Sequence, residues 1–143
     1  MERFQRILVA LAQRGTDTSL IQYAKMVGVL APSAAFDFVH VDGNGRGALK
    51  ALQDAVALHF GAGRAKCHLV SGHREDEMLK LAMETSTDLI LLGHEKSHAG
   101  RRSLARRLAM KAPCSIWMVP DGFKLKLDRI VAAAVEQNAQ KSV

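Results

Sequence analysis

Short apolar runs alternate with single helical segments along this chain, and that alternation limits the folds it can adopt. The five runs are Ile7–Leu11, Phe36–Val41, Cys67–Val70, Asp88–Gly93 and Ser115–Val119. Continuous apolar runs are typical of strands that are covered on both faces. Strands joined by single helices cross over right-handedly and form a parallel sheet. The sequence therefore predicts a doubly wound α/β domain with helices on both faces of the sheet.

The segments between the runs have helical periodicity. After the second run, apolar residues recur at helical spacing and predict one apolar helix face; they are Leu49, Leu52, Val56 and Phe60. A further helix is predicted over residues 101–112, with Leu104 and Leu108 turned inward. Pro113 ends it because proline cannot continue the backbone hydrogen-bond ladder.

Composition places the chain among cytoplasmic single-domain proteins. Its 143 residues are 48% apolar and 24% charged, which is ordinary for a globular domain and not for a disordered chain. No apolar run approaches the ~20 residues that would span a bilayer, and no signal-peptide cleavage pattern follows the N-terminus. Cys67 and Cys114 lack the spacing of a metal or redox motif, so we expect reduced thiols.

Positive charge is concentrated in one segment. The net charge is +6, and residues 93–111 hold six Lys or Arg against one Glu, which contributes +5 of it. The rest of the chain is nearly neutral, unlike the broadly basic surface of a nonspecific nucleic-acid binder. We therefore do not expect nucleic acid as a partner.

Five stretches give the chain a family resemblance. They are Arg6–Ala10, Phe38–Val41, Ser71–Ala82, Thr87–Gly93 and Leu108–Val119, the last of which contains an Ala-Pro-Cys entry to its strand. Together they resemble the universal stress protein family over residues 6–119. The resemblance implies a Rossmann-like sheet of strand order 3-2-1-4-5 in a protein that is usually dimeric. The family has two groups, members that bind ATP and members that do not, and the resemblance places the chain in one of them.

The residues that match the family's ATP site depart from its pattern. ATP-binding members have an acidic residue at the end of the first strand and a G-x2-G-x9-G-[S/T] loop after the fourth. Here the acidic position is Ala12, and Gly93 matches the first glycine, but Lys96 and Arg102 stand at the other two. Ser103 matches the terminal serine after only nine intervening residues, where the family has thirteen. We therefore expect no bound cofactor, with ATP as the alternative.

A weaker anion or nucleotide site is predicted from the same region. The resemblance carries over Val41 and Gly93, and Arg101, Arg102 and Ser103 precede the predicted fourth helix. Cations at a helix N-terminus oppose its dipole, and a bound anion would relieve that repulsion and accept charged hydrogen bonds. The alternative is a solvated cationic face whose arginine stems cover apolar surface.

No catalytic or metal-binding pattern accompanies these residues. His94 and His98 could bind a metal together with Glu95, but zinc sites need three or four ligands and no further Cys or His lies nearby in the sequence, so no metal is predicted. No Ser-His-Asp order and no paired catalytic carboxylates are recognisable. The sequence predicts a protein that is not an enzyme.

The C-terminal tail suggests the start of a second copy of the domain. Arg129–Ala133 repeats Arg6–Ala10 at an offset of 123 residues. We predict a universal stress protein domain over residues 1–122 and an extension over 123–143 that resembles the first strand of a second repeat; a chance match is the alternative. An extra apolar strand must pair with something, so we expect it to pair with a neighbouring chain or with the sheet edge.

The predicted function follows from the resemblance and its departures. We expect a non-enzymatic stress-response or regulatory module that acts as a homodimer through protein contacts, with ATP binding lost and its protein partners unidentified. The alternative is a protein that binds an adenine nucleotide or another phosphate ligand with the loop after strand 4 and the start of helix 4.

Overall fold

Parallel strands form a sheet in the order β3-β2-β1-β4-β5 in the computed structural model of the protein, which describes residues 4–11, 17–41, 47–60, 63–93 and 104–119. The strands are β1 Arg6–Leu11, β2 Ala35–Val41, β3 Ala65–Val70, β4 Leu89–Gly93 and β5 Ser115–Val119. The helices are α1 Asp17–Leu30, α2 Ala48–Ala57, α3 Arg74–Glu84 and α4 Leu104–Lys111. The predicted fold class and the strand order are confirmed.

The central strand β1 is buried on both faces, which explains its continuous apolar sequence. It pairs in parallel with β2 on one side and with β4 on the other. Ile7, Leu8 and Val9 have no solvent-exposed surface. Helices cover both faces of such a sheet, so neither side of the strand can carry polar residues without cost.

Alternate residues of the strands divide the core into two apolar layers. One layer joins the sheet to α1 and α2 and contains Val9, Phe38 and Leu91. The other joins it to α3 and α4 and contains Leu8 and Ile90. The two-residue period of a strand separates the layers, as expected for a doubly wound sheet.

Helix α2 departs from the predicted apolar stripe. Leu52 and Val56 are buried as predicted, but Leu49 is 40% exposed. The helix also ends at Ala57, so Phe60 is buried from the segment after it, against the rings of Phe36 and Phe38. The prediction for Leu49 was wrong because α2 packs over the outer strand β3, where a narrower apolar face suffices.

Arg64 joins the end of α1 to the start of β3. Its guanidinium group donates hydrogen bonds of 3.0–3.2 Å to the carbonyl oxygens of Gly28, Ala31 and Ala34. Its carbon lies 5.5 Å from the ring centroid of Phe36. Carbonyl groups at a helix C-terminus have no partner within the helix, and a cation there also suits the helix dipole.

Two further predictions concern membrane-spanning helices and the C-terminal extension. Within the described residues, no helix is long and apolar enough to cross a bilayer. The predicted extension over residues 123–143 lies outside the described residues, so it stays a prediction.

Candidate functional site

The predicted site belongs to the edge of the sheet where the strands end. Val41 is the last residue of β2 and Gly93 the last of β4, and both flank the end of β1 at Leu11. Two strand spacings separate them, about 10 Å. In open α/β sheets, ligands bind outside the carboxyl ends of the strands, where the direction of winding reverses. The structure places these two residues at that edge.

The other three predicted site residues directly precede helix α4 in the sequence. Arg101, Arg102 and Ser103 lie outside the described residues, as do Ala12 and Lys96. Helix α4 starts at Leu104, directly after Ser103. The ten residues 94–103 therefore make the whole connection between β4 and α4.

The starts of α3 and α4 differ in charge. The first turn of α3 contains Glu75, Asp76 and Glu77, whereas the first turn of α4 contains no acidic residue. The positive end of the α3 dipole is thus already balanced by carboxylates. Electrostatically, α4 is the better of the two for attracting an anion.

Part of the basic segment is paired with a buried carboxylate. Glu75 is 5% exposed, and its carboxylate lies 2.8 Å from the Nζ of Lys111 and 3.4 Å from the Nε of Arg107. The hydrogen bond from Lys111 lowers the pKa of Glu75 below its usual value, against the opposing effect of burial. The same bond raises the pKa of Lys111. These two cations hold α4 against α3 and are not simply a solvated face.

A second buried carboxylate joins three strands and was missed by sequence reasoning. Asp37 is 1% exposed; its Oδ2 accepts a hydrogen bond of 2.9 Å from Arg6, and its Oδ1 lies 3.0 Å from the Nε2 of His68. An aspartate between two phenylalanines of a buried strand was the available signal. Val41 lies four positions further along the strand, about 13 Å away, so Asp37 is not part of the edge site.

An open groove of about 590 Å³ lies at the opposite edge of the sheet, where the strands begin. It is lined by Phe4, Thr87, Asp88, Ala112, Pro113, Cys114 and Ser115. The Oδ2 of Asp88 accepts hydrogen bonds of 2.8 and 2.9 Å from the backbone N–H groups of Gln5 and Arg6. That carboxylate is engaged in holding the start of β1.

Cys67 and Cys114 are free cysteines. Burial raises the pKa of Cys67, and burial together with the negative charge of Asp88 raises that of Cys114. A raised pKa lowers the thiolate fraction, which is the nucleophilic form.

The sequence predicts no metal site. His40 is buried on β2. Residues 4–11, 17–41, 47–60, 63–93 and 104–119 contain no group of three or more His, Cys, Asp or Glu that could hold a metal ion. His94 and His98 lie outside these ranges.

Comparison with known proteins decides the family. The model of the universal stress protein family matches residues 43–120. The chain belongs to the universal stress protein family. The family match covers α2 to β5 and includes Gly93, whereas β1, β2 and Val41 lie before it. No curated protein matches the chain in sequence.

Solved structures show the same fold at low sequence identity. A universal stress protein in complex with cAMP has a TM-score of 0.69 and 19% identity, covering 82% of this chain and 98% of its own. The universal stress protein UspA from Lactobacillus plantarum has a TM-score of 0.60 and 20% identity, with coverage of 82% and 98%. One from Archaeoglobus fulgidus in complex with dAMP has a TM-score of 0.59 and 16% identity, with coverage of 81% and 98%.

Proposed function

We propose that this protein is a non-enzymatic stress-response regulator of the cytoplasm that acts as a homodimer through protein contacts and has lost the family's mode of ATP binding. One observation carries the proposal: β4 ends at Gly93 and α4 begins at Leu104, so ten residues join them. The ATP-binding members that the chain resembles have a longer loop, by four residues, between the matching glycine and serine. A loop that is four residues shorter cannot wrap around a triphosphate in the way that the family's loop does.

The side chains in this loop also oppose phosphate binding in the family's manner. Glycines let backbone N–H groups approach phosphate oxygens closely. Lys96 and Arg102 stand at two of these positions, where a side chain would restrict that approach. Ala12, which follows β1, has no side-chain oxygen to accept a hydrogen bond from a ribose.

The buried carboxylates support a role without catalysis. Asp37 is bound by Arg6 and His68, and Glu75 is paired with Lys111 and Arg107. A general acid or base needs a pKa near the working pH and access to the substrate. The neighbouring cations lower the pKa of Glu75 and move it away from neutrality.

The proposal is tested by what the protein carries and what stabilises it. The purified protein is denatured and its supernatant assayed for nucleotide, and its thermal midpoint is measured with and without ATP and Mg²⁺. A ligand present at 100 times its Kd stabilises a fold by ~2.7 kcal/mol, which melting detects readily. We expect no nucleotide and no shift, and sedimentation velocity should show a dimer.

A second candidate function has its own support. Two structures with this fold contain cAMP and dAMP. Arg101, Arg102 and Ser103 directly precede α4, whose first turn has no acidic residue. A nucleotide phosphate at the start of α4 would meet both arginines and the helix dipole. In this candidate, the protein binds a nucleotide monophosphate or another small anion in a mode that needs no long loop.

A pair of arginine variants separates this candidate from the first. Binding of cAMP, dAMP and inorganic phosphate is titrated with the unaltered protein, with Arg102→Ala, and with Arg106→Ala as the matched control on α4. The second candidate predicts binding that weakens at least tenfold in Arg102→Ala and persists in Arg106→Ala. If none of the three compounds binds the unaltered protein, the first proposal stands alone.

A further inference from the structure

The groove at the edge where the strands begin combines groups that suit a cation. Its volume is about 590 Å³, which lies within the usual range for ligand sites. An aromatic ring, a carboxylate and two hydroxyl groups line it; they belong to Phe4, Asp88, Thr87 and Ser115. Carboxylates accept charged hydrogen bonds, and aromatic faces attract cations. The lining therefore points to a positively charged occupant.

The carboxylate of Asp88 is held in a fixed place through one of its oxygens. Its Oδ2 accepts the two backbone hydrogen bonds, of 2.8 and 2.9 Å, from Gln5 and Arg6. A carboxylate accepts hydrogen bonds at both oxygens, so Oδ1 can take a further donor. The backbone donors are neutral, so the group keeps its negative charge. A side chain that is already ordered loses little entropy when it binds a partner.

The charge of Asp88 acts inside the groove. Cys114 lines the same groove, and burial together with the negative charge of Asp88 raises the pKa of its thiol. A negative charge that disfavours a thiolate at this position favours a cation there, because the sign of the interaction reverses.

Phe4 gives the groove an aromatic ring in a defined position. Its side chain is half-buried and packs against the apolar layer beneath α1 and α2. The ring meets that of Trp117 edge to face, with centroids 5.3 Å apart and 85° between the planes. Such aromatic pairs are favourable beyond the area that they bury, so the pair holds Phe4 at the groove.

We propose that this groove binds an arginine side chain from a partner protein. A guanidinium group is planar, donates hydrogen bonds to carboxylates and stacks on aromatic faces, so it can use Asp88 and Phe4 together. The exposed hydroxyl of Ser115 is a further acceptor at the rim. The hydroxyl of Thr87 lies 2.8 Å from that of Thr85 and is engaged there.

The open shape of the groove favours a side chain that a larger partner carries. Small-molecule sites bury about 70–90% of the surface of their ligand, which an open groove does not do. A protein that delivers the arginine covers the groove with the surface around it. The inference rests on the proposed action through protein contacts and adds the chemistry of the partner. The ATP experiments do not involve this edge of the sheet, so the two proposals can fail separately.

Two residues of the unaltered protein report occupation of the groove. The probe is a short acetylated and amidated peptide of alanine and serine with one central arginine, and its matched control has glutamine instead. Trp117 is the one tryptophan of the chain and touches Phe4, so its fluorescence should change as the arginine peptide binds. Alkylation of Cys114 by iodoacetamide should slow several-fold, while Cys67 on β3 should react at its usual rate. Peptide mass spectrometry measures both rates in one sample.

Two variants test the carboxylate and the location of the site. Asp88→Asn removes the charge but keeps an oxygen for the amides of β1, and it should weaken binding at least tenfold. Its control is Asp54→Asn, an exposed carboxylate on α2, which should leave binding unchanged.

Ser115→Lys tests the same site without touching the contact between Asp88 and β1. It places a cation in the groove from an exposed position and should also weaken binding at least tenfold. Gln53→Lys adds the same charge at an exposed position of α2 and is the matched control. Circular dichroism and the thermal midpoint show whether each variant is folded.

Four results overturn the proposal. The first is no binding of the arginine peptide at millimolar concentration, and the second is equal binding of the glutamine peptide. The third is unchanged binding in folded Ser115→Lys or Asp88→Asn. The fourth is binding of agmatine, which carries a guanidinium group without a peptide backbone, as tightly as the peptide; this would assign the groove to a small amine. We expect agmatine to bind at least tenfold more weakly than the peptide.

Discussion

The Nζ of Lys111 lies 2.8 Å from the Oε1 of Glu75, so an ion pair joins the last turn of α4 to the first turn of α3. The glutamate is buried, while the lysine is 62% exposed. The pair orients α4, the helix that directly follows the predicted anion-binding residues. It therefore connects the packing of the two helices to the geometry of the candidate site.

Replacing Glu75 should loosen this contact. Glu75→Gln keeps the shape of the side chain but removes its charge, leaving Lys111 and Arg107 without their counter-ion. We expect a thermal midpoint lower by a few degrees, and a smaller difference at high salt because the cations are partly exposed. Asp76→Asn is the control, since it neutralises an exposed carboxylate in the same turn. Equal effects of the two substitutions would contradict the role of the buried pair.

The contribution of this pair should depend on pH in a defined way. The pKa of Glu75 is lowered in the folded state, so its stabilisation is present above the unfolded value of about 4.3 and is lost as pH falls through the folded pKa. The pKa of Lys111 is raised, so its part is present below the unfolded value of about 10.4 and is lost as pH rises through the folded pKa. Denaturant titrations of the unaltered protein and Glu75→Gln should differ by a constant amount between about pH 5 and 10. A difference that peaks sharply near pH 7 would point to a histidine instead.

Asp37 should contribute to stability through both of its oxygens. Asp37→Asn replaces an anion that is almost fully buried between Arg6 and His68. Hydrogen bonds to charged groups contribute about 1.5–3 kcal/mol, and partial exposure of Arg6 places the expected loss at the lower end. Urea denaturation measures it, with Asp54→Asn, an exposed carboxylate on α2, as the control. If Asp37→Asn loses less unfolding free energy than Asp54→Asn, the cost of burying the Asp37 carboxylate cancels the stabilisation that Arg6 and His68 provide.

Arg64 should be irreplaceable by lysine. Lysine keeps the positive charge at the C-terminus of α1 but cannot reach the carbonyl groups of Gly28, Ala31 and Ala34 together. We expect Arg64→Lys to lose about 1–3 kcal/mol of unfolding free energy, close to the loss in Arg64→Ala. If Arg64→Lys is as stable as the unaltered protein, the positive charge alone accounts for the stabilisation by Arg64.

The strands could be predicted from the sequence because a strand that is buried on both faces consists of consecutive apolar residues. Ile7 and Val9 lie in Ile7–Leu11 and Leu91 lies in Leu89–Leu92, two stretches without a polar residue, and the structure buries all three. Leu49 shows where the local pattern fails: helical spacing gives a possible apolar face, but the width of that face depends on what the helix covers.

The two carboxylate clusters could not be predicted in the same way. Glu75 is one of three acidic residues in a first turn, and nothing local distinguishes the one that faces α4. Asp37 stands out in its strand, but Arg6 and His68 are 31 residues away on either side. Such pairs depend on tertiary contacts. For the candidate site, the sequence indicated the edge of the sheet at which Val41 and Gly93 lie, while the roles of Arg101, Arg102 and Ser103 remain predictions.

Isothermal titration calorimetry of the purified protein with ATP and Mg²⁺ tests the central claim most directly. An ATP-binding member of the family, titrated in the same buffer, serves as the positive control. Our account predicts heats no larger than those of dilution up to millimolar ATP, because it holds that the ten residues between Gly93 and Leu104 do not wrap a triphosphate as the family's longer loop does. A saturable heat with a stoichiometry near one per chain and a micromolar Kd would contradict it.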